Sequence, residues 1–404
     1  MKKALVLGGT VPHIELISKL KARGYHVTLI DYYDNPPAKG AADAHVKAST
    51  LDMEEVLKIA KEGNADLVIS SCIDQANSVA CYVAEQLNLP HPYSYTKSLE
   101  VTRKGLMKTI FKRNGIPTSD FYLIDKDEPR EIKLPFPFVI KPTDANSSKG
   151  VYKIESKEEF ENKIEESLYY SREGKAIVEG FVSGTEIQVD CVVINHKAHI
   201  LLTSDKVAFD NGGRELQVTG FSVPGIRCES FFERLQEIAQ GIADAFELDN
   251  TPFFYQAICD ENEVYVLEFA PRLPGGTRFK TVKLVSGFDF IESSIRSFLK
   301  EPIEGTINYP KIKYVMRFLY MKPGVFDHIA GIDELLADGT VNHFFPFVMR
   351  GKQIDSSMSS SNRICAIMTE GDTYEEAENK VTFALGRLAV IDERGKDLSY
   401  WKEA

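Results

Sequence analysis

Between Pro135 and Gly276 the chain carries three β-rich segments in a fixed order, each ending in residues suited to charged chemistry rather than to packing. The first, Pro137-Phe-Val-Ile-Lys141-Pro142, is an apolar run that closes on a lysine and passes into Thr143-Asp-Ala-Asn-Ser147-Ser148-Lys149-Gly150. Small residues let backbone N–H groups close over anionic oxygens, and a lysine at the strand end adds a positive charge beside them. The second, Ala176-Ile-Val-Glu179-Gly-Phe181-Val182-Ser-Gly184-Thr-Glu186, is a strand that breaks at glycines and resumes as Ile187 to Ile194. Such a break leaves backbone N–H and C=O groups edge-on to a planar base, and a following carboxylate can accept from sugar hydroxyls. The third runs from Phe253 through Gln256 to Glu268, Ala270, Arg272 and Gly276, and its polar turn Asp260–Glu263 predicts a hairpin. A turn centred near Asn262 sets Gln256 opposite Glu268 on one face, with Ala270 and Arg272 continuing it.

On these residues, in this order, the chain resembles the ATP-grasp superfamily, in its carboxylate–amine ligase and biotin-carboxylase-like branch. The resemblance extends to Met1-Lys-Lys-Ala-Leu-Val-Leu-Gly8-Gly9-Thr10 with Tyr25 to Asp31, and to the helix Arg103-Lys104-Gly-Leu-Met-Lys-Thr-Ile-Phe-Lys-Arg-Asn-Gly115. It implies an α/β and α+β multidomain chain: an ATP-grasp fold with an N-terminal Rossmann-like α/β domain and a small C-terminal β-rich domain. The expected divisions are an N-terminal domain over 1–93, a leading helix and linker over 94–135, a lid over 136–205, a second ATP-grasp half over 206–310 and the C-terminal domain over 311–404.

The resemblance also implies ATP and Mg²⁺ as cofactors. Nucleotide contacts would come from Lys104, Lys141, Ser147, Ser148, Gly150, Glu179, Phe181, Val182 and Glu186. Lys206 would add a cation, and Arg272 would clamp a carboxylate through its planar fork. Metal ligation falls to Glu268 and Gln256. Here the chain departs twice from the family, because Gln256 stands at the place of an acid and Ala270 at that of an asparagine. Lys108 and Lys112 follow Lys104 at i+4 and i+8, so a solvated lysine stripe is the alternative for that helix.

Composition bounds the rest. A chain of 404 residues exceeds a single core. A net charge of −11 with no basic run argues against a nucleic-acid partner. No stretch reaches the roughly 20 apolar residues of a membrane span. Six scattered cysteines read as free thiols in a reducing, cytoplasmic setting. The G-x-G-x-x-G spacing of a dinucleotide fold is absent after Leu7, and His196 and His199 read as hairpin-turn residues rather than ligands.

The expected activity is ATP-dependent: a carboxylate of an amino acid or similar small acid is activated as an acyl phosphate and coupled to an amine, giving ADP and phosphate. The partners are small-molecule carboxylate and amine, and a homodimer is compatible with the family. One alternative is a bicarbonate-using carboxylase, against which Arg272-Leu-Pro-Gly-Gly276 lacks the acidic and histidine residues that follow the arginine in biotin carboxylases. The other is a non-catalytic ATP-binding module, which Gln256 and Ala270 favour.

Overall fold

A computed structural model describes residues 1–145, 150–209, 217–355 and 362–402. The chain forms two compact units. The first holds residues 1–184, 189–201 and 232–308, and the second holds 185–188, 202–231 and 309–404. Among the described residues no helix is long and apolar enough to cross a membrane.

The first unit opens with a parallel sheet ordered Ala44–Lys47, Tyr25–Asp31, Lys2–Leu7, Leu67–Ser70. Its inner strands are apolar without alternation because helices cover both faces of such a sheet, and Val6, Leu29 and Ile69 are fully buried in register. Helices Val11–Ala22 and Met53–Gly63 make crossovers, the second capped where Asp52 accepts from the Glu55 N–H, and Asp74–Gln86 follows the last strand.

An antiparallel sheet follows in the order Phe121–Asp125, Lys175–Gly180, Phe138–Pro142, Tyr152–Ile154. Its apolar face, with Phe138, Ile140, Ala176 and Val178, packs on Phe160, Ile164 and Leu168 of the helix Lys157–Tyr170. Strand alternation sends Lys141 and Glu179 to the other face, on adjacent strands. Gly150 adopts φ +70°, and a Cβ there would lie 2.9 Å from a Tyr170 ring carbon, so only glycine fits the turn.

The hairpin Thr251–Cys259 and Val264–Ala270 forms as the sequence predicts, with Gln256 opposite Glu268. The register is reached differently. The tip pairs Cys259 with Val264, and a bulge past Gln256 supplies the extra residue that brings Glu268 into line. Thr185–Ile194 lies beside the hairpin, followed by Lys197–Phe209. Their turn is formed by Asn195 and His196 at φ 53° and 60°, the left-handed pair that a two-residue hairpin requires.

The second unit is built on Gln217–Val223, Lys313–Tyr320, Arg363–Gly371 and His343–Pro346, paired antiparallel in that order. A small sheet of Gln353–Ile354, Gly324–Ala330 and Ala389–Asp392 accompanies it. Helix Tyr374–Arg387 starts in a capping box formed by Thr373 and Glu376. Residues 226–245 form two helices rather than one, Ile226–Ser230 in this unit and Phe232–Ala245 in the other. The first is pinned separately, because Asp205 accepts from the backbone N–H groups of Arg227 and Cys228.

Candidate functional site

The charged groups of the first unit gather around the helix Lys104–Arg113. A lysine at the first position of a helix faces the positive end of the macrodipole and must be compensated. Lys104 is compensated by Glu268, its Nζ 3.3 Å from Oε2, and it also donates to the Ala145 carbonyl at 3.2 Å. Lys104, chiefly, and Lys141 hold the Glu268 carboxyl below the usual carboxylate range against the opposing effect of burial. Burial works against the Lys104 cation, but Glu268 and Asp74 outweigh it and raise its pKa.

One turn on, Lys108 is buried completely, with 1 % of its side chain exposed. Its ammonium lies 2.8 Å from Glu179 Oε2, 2.6 Å from Thr118 Oγ1 and 3.3 Å from the Val266 carbonyl. Lys141 approaches the other oxygen, Oε1, at 2.6 Å. One carboxylate thus lies between two ammonium groups. Burial alone would raise the Glu179 pKa, yet Lys141 and Lys108 bring it down to about 2. For Lys108 burial dominates and the pKa falls to about 8, with Glu179 only partly restoring it. Two turns from Lys104, Lys112 is exposed and pairs with Asp120 at the surface. The stripe reading therefore applies to Lys112 alone.

Arg272 follows the hairpin. Its guanidinium grips Asp74 with two hydrogen bonds of 2.5 Å, donates to the Leu273 carbonyl and lies over the Phe254 ring. Burial disfavours this cation, but Asp74 more than restores it and raises the pKa. The fork expected to hold a carboxylate does hold one, supplied by the protein itself.

Among the other expected residues, Phe181 and Val182 lie in the break after strand Lys175–Gly180, with Phe181 partly exposed beneath Lys153 at 4.6 Å. Gly184 ends the break against the hairpin, where a Cβ would come within 2.2 Å of the Cys259 carbonyl oxygen. Glu186 and Lys206 belong to the second unit and pair with each other at 2.6 Å. Ser147 and Ser148 lie outside the described residues.

In the sequence Lys108 reads only as part of a solvated stripe, and Asp74 goes unremarked. Lys108 had a signal: it occupies an inward position beside Gly105, Met107 and Phe111, where helical spacing calls for an apolar residue. Asp74, at the start of a helix, looks like an ordinary dipole-favoured acid, and its partner is 198 residues away.

The donor set at the hairpin suits a hard cation. Glu268 offers a carboxylate and Gln256 an amide oxygen across the ladder, and Mg²⁺ takes one or two protein oxygens and leaves its other positions to water and phosphate. The lysines and the backbone break suit a polyphosphate and a base.

The comparisons agree with this chemistry. The family description "ATP-grasp domain" matches residues 134–280, and "L-amino acid ligase C-terminal domain 2" matches 317–393. A formate-dependent phosphoribosylglycinamide formyltransferase from Psychromonas ingrahamii is 30% identical over 409 residues, covering 96% of each chain. One from Methanococcus vannielii is 26% identical, covering 94% of this chain and 97% of its own. Among solved structures, an L-amino acid ligase from Bacillus licheniformis superposes with a TM-score of 0.78 at 22% identity, covering 97% and 99%. A phosphoribosylglycinamide synthetase from Anaerococcus prevotii gives 0.75 at 18%, covering 97% and 100%. With its three motif segments in order, its fold matched from end to end and a relative at this identity across nearly its whole length, the chain belongs to the ATP-grasp superfamily.

Proposed function

We propose that the protein is an ATP-dependent carboxylate–amine ligase whose carboxylate substrate is an amino acid or a similar small acid. The observation that carries this reading is the gathering of Lys104, Lys141, Glu268 and Arg272 in one unit, each ion-paired, the three cations largely buried and Glu268 partly open. The match to the C-terminal domain of L-amino acid ligases supports the substrate class. Among the described residues the six cysteines form no disulfide, which fits a cytoplasmic setting.

In the reaction, a substrate carboxylate oxygen attacks the γ-phosphorus, the bond to the β-bridging oxygen breaks, and ADP leaves. The amine nitrogen then attacks the acyl carbon of the acyl phosphate, phosphate departs, and the nitrogen loses a proton. The first step spreads charge over phosphoryl oxygens, and positioned cations are what such a transfer requires. Lys104 and Lys141 supply that charge from the protein. Arg272 orients the carboxylate for in-line attack, a role in which substrate takes over the fork that Asp74 fills. A divalent cation held by Glu268 and the Gln256 amide would neutralise further phosphate charge.

Phosphate release from ATP is to be measured with pooled amino acids, for the wild type and for Glu268→Gln. Release that requires the amino acids, and that falls by roughly a hundredfold or more in the variant, is the expected result. Full release by Glu268→Gln, or tight ATP binding without release for any carboxylate–amine pair, contradicts it and leaves the non-catalytic ATP-binding module.

A further inference from the structure

Glu179 has more positive charge around it than it needs. A buried carboxylate requires one cation, and this one has two, Lys108 and Lys141, held to opposite oxygens at 2.8 and 2.6 Å. The two cations are not equivalent. Lys108 has three acceptors for its three N–H groups: Glu179, Thr118 and the Val266 carbonyl, with Thr118 itself donating to Val266 at 2.8 Å. That set is closed and buried. Ser119 adds a hydroxyl 3.4 Å from the same Glu179 oxygen. Lys141 differs, because its ammonium lies off the hydrogen-bond direction of Oε1 and its side chain retains some exposure.

We propose that Lys108 is a positioning residue, the standing counter-ion of Glu179, and that its presence lets Lys141 turn from Glu179 to a nucleotide phosphate without leaving a buried carboxylate unneutralised. The inference rests on the reading of Lys141 as a phosphate ligand. Without Lys108, Lys141 and Glu179 would form a neutral one-to-one pair, and binding ATP would mean breaking it beside an incoming polyanion. Lys108 also ties three elements together: its own helix, the strand that carries Glu179 and the strand that carries Val266 two residues before Glu268.

The test is calorimetric ATP affinity for the wild type, Lys141→Met, Lys108→Met and Lys108→Met/Glu179→Gln. The wild type should bind, and Lys141→Met should bind about tenfold or more weakly. Lys108→Met, with every phosphate-facing group intact, should also lose about tenfold or more, because Lys141 is now locked to Glu179. Glu179 is 3 % exposed with its two oxygens turned to Lys108 and Lys141, so in this proposal it acts through Lys141 rather than touching the nucleotide. The double variant has no carboxylate left to neutralise and should recover to within about threefold of wild type, a rescue that a packing role for Lys108 would not give. Wild-type affinity in Lys108→Met, or loss that persists in the double variant, overturns the inference and leaves the nucleotide reading standing. Wild-type affinity in Lys141→Met, or no ATP binding by the wild type, overturns both. Should Lys108→Met fail to fold, the double variant carries the test: folded and binding within about threefold of wild type upholds the inference, and folded with weak binding overturns it.

Discussion

Glu179 and Lys108 share one buried contact, and at neutral pH the shift of the first stabilises the fold while that of the second is a cost. The folded pKa of Glu179 is depressed to about 2 from 4.5, so its contribution is present above about 4.5 and is lost as pH falls towards about 2. Lys108 is lowered to about 8 from 10.5, so the cost of burying its ammonium is present below about 8 and lessens as pH rises from there towards 10.5. The acid limb can be isolated by substitution. Glu179→Gln should be less stable than wild type at pH 7 in urea unfolding, and the gap should close as pH falls from about 4.5 towards 2, where the wild-type carboxyl is also neutral. A gap that stays constant across that range would show that Glu179 titrates alike in the folded and unfolded chain and gains nothing from the two lysines. At this scale the sequence was partly legible. Lys141, Glu268 and Arg272 stand out by type and place. Their partners Glu179, Lys104 and Asp74 come from distant parts of the chain, and no local pattern joins Asp74 to Arg272.

At the scale of elements, the helix Lys104–Arg113 shows how one face changes character along its length. Lys104, Lys108 and Lys112 are spaced alike, but the first meets Glu268, the second is enclosed and the third reaches solvent with Asp120. Periodicity registers the common face and not the depth at which each turn lies. An exposed pair such as Lys112–Asp120 is worth little. Lys112→Ala should therefore change stability by less than about 1 kcal/mol and phosphate release by less than about twofold, whereas Lys104→Ala should lower kcat/KM for ATP by about tenfold or more. Equal effects in steady-state kinetics would restore the solvated-stripe reading for the whole helix. The hairpin makes a similar point about legibility. Turn residues and alternation set Gln256 opposite Glu268 from sequence, but the bulge that makes the register hold was not readable, since a bulge is settled by packing on the neighbouring strand.

At the scale of the molecule, the strand–helix alternation of the first 93 residues, the lysine-ended strand, the broken strand and the hairpin all announced their classes because each depends on local periodicity. The division into two units was not readable in that way. Thr185–Ile194 and Lys197–Phe209 each contribute residues to both units, and nothing in their composition marks where one unit ends. In the reaction a carboxylate oxygen takes the γ-phosphoryl group before an amine displaces it. A substrate labelled with oxygen-18 in its carboxylate tests this directly, with the released phosphate analysed by mass spectrometry and the nucleotide product identified. Ligation through an acyl phosphate requires one labelled oxygen in each phosphate and ADP as the nucleotide; unlabelled phosphate, or AMP with pyrophosphate, would contradict it.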